Sequence, residues 1–184
     1  MTSLVNEEAQ WHVQQVQKAK VSGKKVILFS HHEPITFNGS IGLKKCKQYP
    51  ANDHLYRQLH DCIPSVDAYF FGHQHQFMLY QDYHYRDGQV LRKPRLIGHG
   101  GCPVIAMNVQ DIYKPELKYD TSEYDLAELL PGNTWRLGTN GDVIDTGFCV
   151  LKCRKGVVSV DYYNIHSELL GVYQPATLVY SETL

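Results

Sequence analysis

Between Glu7 and Lys20 the apolar residues Ala9, Val13, Val16 and Ala19 recur at helical spacing on one face, with polar residues filling the rest. Ser22-Gly23 interrupts the pattern, and a continuous apolar run, Val26-Ile27-Leu28-Phe29, follows. A run without polar alternation suits a strand covered on both faces, because neither side has to meet water. His54 to Cys62 predicts a second helix, closed by Pro64, and Val66 to Phe71 a second buried strand that contains Ala68-Tyr69-Phe70-Phe71. Phe77 to Tyr80 and Arg95 to Ile97 read as further strands, and Asp87-Gly88 supplies a turn before Val90-Leu91. Tyr83 and Tyr85 alternate with His84 and Arg86, the period of a half-exposed hairpin.

From Gln110 to Pro131 the chain is polar and Tyr-rich and predicts a long surface excursion, of a kind that is often functional. Asp145 to Ile165 predicts a β-hairpin, with Phe148 to Leu151 and Val157 to Val160 flanking Arg154-Lys155-Gly156. From Gln174 onward the tail carries little pattern. Helix–strand–helix–strand order in the first third implies parallel pairing, and the remainder implies antiparallel β. The expected fold class is α/β, a mixed sheet with an added β layer. No repeat or linker divides the chain, so residues 1–184 are expected to form one domain.

Composition narrows the functional classes. Eighteen basic against 19 acidic residues leave a net charge of −1, so no bulk field favours nucleic acid or an anionic membrane. No apolar run approaches a membrane span of about 20 residues, and the N-terminus has no secretory pattern. Five cysteines, none in a C-x-x-C pair, argue against a disulfide scaffold and point to a reducing, cytoplasmic compartment. Histidine is unusually frequent at 10 residues, and its placement carries the chemistry.

Ser30-His31-His32 directly follows the first apolar run, and Gly72-His73-Gln74-His75 directly follows the second. In open α/β sheets, sites sit beyond the carboxyl ends of the strands, and both clusters lie there. Neutral imidazoles at convergent positions are ligands for Zn, Mn or Fe. A single histidine at a strand end is ordinarily a surface or satisfied residue; two clusters, each after a buried run, tilt the reading towards metal.

The pairing of SHH with a later FGHQH, the helix bearing Trp11 before KKVILFSHH, Tyr80 beyond the GHQH and the RLIGHGGCPV segment resemble the final two motifs of the calcineurin-like metallophosphoesterases. The resemblance covers residues 7 to about 104 and implies the C-terminal half of a four-layer α/β/β/α sandwich. It implies metal-dependent hydrolysis of a phosphate ester, with two metals clamping the attacking and leaving oxygens. By the same resemblance His31 and His73 would ligate one metal and His75 the other, with His32 in a supporting or structural place. Glu33, before Pro34, receives no role.

The departures weigh equally. The family's D-x-H, G-D-x-x-D and G-N-H motifs, which supply the carboxylates and a proton donor, should precede His31, and nothing ahead of it matches. No catalytic residue is therefore assigned, and at most one metal is expected on this chain alone. Asp82-Tyr83-His84 and Gly141-Asp142-Val143-Ile144-Asp145 match two of the motifs literally but lack the preceding buried strand. The expectation is a truncated domain with little activity of its own, in which an open sheet edge invites self-association. The rivals are a degenerate relative acting as an interaction module, and a mononuclear zinc site of His31, His73 and His75. Specificity would lie in the segments Ile35 to Asn52 and Gln110 to Asn140. His99 would line the site mouth or simply belong to its glycine-rich turn, and His12, His54, His60 and His166 show no partner pattern.

Overall fold

The computed structural model describes residues 3–36, 41–44, 47–100, 121, 123–131, 139–140, 143–165 and 175–184, with backbone alone for 41–44, 47–48, 139–140 and 143–144. Helix α1 spans Asn6–Val21, with Glu7 and Glu8 in its first turn and Lys18 and Lys20 in its last, the charge order that the helix dipole favours. It leads into strand β1, Ile27–Ser30. A small hairpin, β2 (Ile41–Lys44) and β3 (Lys47–Tyr49), precedes helix α2, Asp53–Leu59. Asn52 caps α2 by accepting from the Leu55 amide at 3.2 Å. The helix ends earlier than its apolar pattern predicts, and Pro64 falls inside a short 3₁₀ turn, Ile63–Ser65.

Strand β4 is Ala68–Phe71 and β5 is Phe77–Leu79. A tight hairpin of β6 (Tyr83–His84) and β7 (Val90–Leu91) leads to β8, Pro94–Ile97. These strands build a four-stranded mixed sheet in the order β1-β4-β8-β5. Strand β4 runs parallel to β1 and to β8, so parallel pairing extends beyond the first third of the chain, while β5 is antiparallel to β8. Asp67 fixes the start of this ladder: its carboxylate accepts from the Val26 amide at 2.7 Å and from Lys20 Nζ at 2.9 Å, tying α1 to the first two strands.

After the short pair β9 (Thr139–Asn140) and β10 (Val143–Ile144), the hairpin of β11 (Thr146–Arg154) and β12 (Val157–Ile165) turns at Lys155-Gly156, both with positive φ, as a tight hairpin turn requires. The C-terminal segment, expected to be weakly specified, is instead β13, Thr177–Thr183, the third strand of this antiparallel sheet. Its order comes from pairing with β12, a long-range cause that leaves little trace in its own alternation.

Two apolar clusters define the layers. Val16, Leu55, Leu59, Tyr69, Phe71, Met78, Tyr80 and Leu96 join the helices to one face of the mixed sheet. Ala68, Phe70, Phe77 and Leu79 on its other face pack against Val158, Val160 and Tyr162 of the antiparallel sheet. The architecture of the described residues is thus helices, mixed sheet and second sheet, an α/β fold. Between the two sheets, Arg95 forms a bidentate pair with Glu182, Nε–Oε1 2.6 Å and Nη2–Oε2 2.8 Å, and Tyr162 Oη donates to the same carboxylate at 2.6 Å. Burial raises the Glu182 carboxyl, but the Arg95 hydrogen bonds and charge outweigh it and hold it below the usual range. Among the described residues no helix is long and apolar enough to cross a membrane. Much of the predicted excursion, 110–120 and 122, lies outside the described residues; within its remainder Tyr124 and Ala127 are buried and Leu129 bridges Tyr80.

Candidate metal centre

Strands β1 and β4 lie side by side in register, Ile27 against Ala68 through Ser30 against Phe71, so their carboxyl ends stop at one level. His31 and Gly72 come next on each, and the Gly72 amide donates to the His31 carbonyl at 3.1 Å, continuing the ladder one step into the site. After β1 the chain bends, held by Ser30 Oγ donating to the His32 carbonyl at 2.6 Å. The bend brings His31 and His32 to the same side, where a continuing strand would have sent them to opposite faces.

On the second turn His73 adopts φ 67°, a left-handed conformation that is strained for a residue with a Cβ and that concentrates at functional sites. The turn packs closely on the next strand end: a Cβ at Gly98 would overlap the Gln74 carbonyl oxygen, so only glycine fits. Gln74 reaches back to the first turn, its Nε2 donating to Thr36 Oγ1 at 3.1 Å and to Glu33 Oε1 at 3.3 Å.

These turns gather His31, His32 and His73, whose ring nitrogens lie within 4.8 Å of one another. His31 Nε2 and His73 Nδ1 are 3.2 Å apart. Two nitrogens of a tetrahedral zinc site, each bonded at about 2.0–2.1 Å, stand at about that separation. The ring of His32 lies tilted at 4.5 Å from that of His73 and edge-on at 4.8 Å from that of His31, centroid to centroid. Burial, then the neighbouring His73 and His31 rings, pull the His32 imidazole below the usual histidine range, which leaves its lone pair available to a metal. His31 and His73 are exposed, so an ion held here would keep a side open to water or substrate.

No protein-family model and no curated protein matches this chain. The site rests on its own geometry, which brings together two of the three histidines singled out in the sequence. His75 is exposed and is not in the group, and His32 takes the third place. A sharp turn at Gly72 suggested that His73 and His75 would point to one centre; the turn instead takes His73 through a left-handed conformation and leaves Gln74 facing the first turn.

The remaining candidates have other partners. His99 is 3% exposed, packed against Phe77 with ring centroids 4.9 Å apart, and burial lowers its imidazole to about 4. It belongs to the core between the sheets. His60, expected to lack partners, pairs with Asp61 at 3.0 Å and Asp87 at 3.3 Å, and His12 stands 3.8 Å from Glu8 on α1. His54 is exposed, and His166 lies outside the described residues. Asp82 of the literal D-x-H match accepts from the Lys93 amide at 2.9 Å, a turn-holding role. Gly141 and Asp142 of the second match lie outside the described residues, as does much of the two segments expected to set specificity.

Proposed function

We propose that His31, His32 and His73 hold a divalent transition metal, and that the chain carries the histidine side of a metal-dependent phosphoesterase centre of the calcineurin-like kind. The observation that carries this reading is the three-imidazole group at the adjoining carboxyl ends of two parallel strands. The SHH and FGHQH motifs supply the substrate class, a phosphate ester, and the α/β/β layering fits part of the four-layer sandwich that those motifs imply. A divalent ion in such a site lowers the pKa of a bound water and offsets charge on phosphoryl oxygens.

The chain's own contribution is positional. The ladder bond between Gly72 and His31, the Ser30 clasp and the Gln74 tether hold three rings in one place before any ligand arrives. Among the described residues no carboxylate joins the group, so one metal is expected here, with slow turnover by this chain alone. The test is hydrolysis of an aryl phosphate with added Mn²⁺ or Zn²⁺. A weak rate that needs metal and vanishes in His73→Ala supports the reading. A rate indifferent to metal and to that substitution removes it.

A further inference from the structure

Glu33 immediately follows His32 and is only 6% exposed. A carboxylate buried that far normally has donors for both oxygens, because it has given up its hydration. Among the described residues Glu33 has one: Oε1 accepts from Gln74 Nε2 at 3.3 Å, while Oε2 is buried and meets no donor. The residue is therefore joined to both histidine turns, covalently to His32 and through the Gln74 amide to the residue between His73 and His75.

The same place has a complementary need. Three neutral imidazoles bring no negative charge to a divalent ion, and ring ligands hold their orientation through a hydrogen bond from the nitrogen that does not face the metal. We propose that Glu33 is the positioning carboxylate of this centre: its unpartnered oxygen accepts the ring N–H of His32 while the opposite ring nitrogen is turned to a divalent cation. The proposal rests on the reading that the histidines hold a metal. It gives a ligand-oriented purpose to a buried acid that is otherwise a stability cost.

The test is Glu33→Gln in the full chain, an exchange that keeps shape and removes charge. Zinc affinity, read by competition with a chromophoric chelator, is expected to fall roughly 10- to 100-fold. The melting temperature of the metal-free protein is expected to hold or rise, since an incompletely paired buried charge has been removed. Zinc binding by the wild type that is unchanged in the variant overturns the role of Glu33 and leaves the histidine centre standing. Lowered melting of the metal-free variant with unaltered affinity in its folded fraction makes Glu33 merely structural and also overturns it. A wild type that takes up no zinc sinks both readings. Should the variant not fold, ¹⁵N spectra of the zinc-loaded wild type decide: a single His32 tautomer with a protected N–H supports the proposal, and a freely exchanging one ends it.

Discussion

His99 and His32 are both histidines with lowered affinity for protons, yet the causes separate them. His32 is depressed by partial burial and by two neighbouring rings at a solvent-facing site, whereas His99 is depressed by burial alone, deep between two sheets. Gly147 lies against the His99 ring and the Tyr163 carbonyl so closely that a Cβ there would overlap both, which shows how tightly that ring is enclosed. The consequence for stability has a definite sign. The folded chain holds His99 neutral down to about 4, while the unfolded chain protonates it near about 6.5, so folding releases a proton in between. This contribution is complete above the unfolded value and is lost as pH falls from there through the folded one, on the order of 3 kcal/mol in all. Melting curves across that window should therefore flatten in His99→Leu relative to the wild type; parallel curves would show that the ring is not enclosed as described.

Among the elements, the hairpin β11–β12 and the two strands that carry the histidines were legible because each has a local cause: an apolar run, an alternation, or a turn with residues suited to positive φ. Strand β13 was not. Its exposed Leu178 and polar Ser181 give no clean alternation, and what fixes it is remote: the ladder to β12 and the Glu182 carboxylate gripped by Arg95. The parallel union of β4 with β8 was hidden for the same reason, since the connection runs through β5 and a hairpin instead of a helix. The candidate site was half legible. Strand ends pointed to His31 and His73, but which further histidine joined them depended on a bend after Ser30 and a left-handed His73 that no spacing rule encodes. The inter-sheet ion pair yields a prediction at this scale. Arg95 and Glu182 are 2% and 8% exposed, so Glu182→Ala strands a buried guanidinium and should cost about 3–5 kcal/mol by denaturant unfolding. Simultaneous replacement by Arg95→Met and Glu182→Leu should recover much of that loss. A single variant as stable as the wild type would mean that the pair is not buried in solution.

On the scale of the whole molecule, the mixed sheet of the described residues ends at β1, one of the two strands that lead into the histidine group. Among the described residues no strand pairs with its outer edge, and Phe29, stacked on the buried Phe70 with ring centroids 5.3 Å apart, remains 61% exposed. An open strand edge with an aromatic beside it is a template for pairing with another chain. Sedimentation velocity should show species larger than the monomer growing with concentration, and Phe29→Lys should suppress them. Equal behaviour of the two proteins would remove β1 as the contact.

The most direct measurement is therefore metal content. The purified chain, incubated with Zn²⁺ or Mn²⁺, desalted and analysed for elements, should retain one ion per chain, and His73→Ala should retain none while melting like the wild type. A wild type that emerges without metal, or a variant that keeps the same ion, would contradict the assignment of His31, His32 and His73 as its ligands.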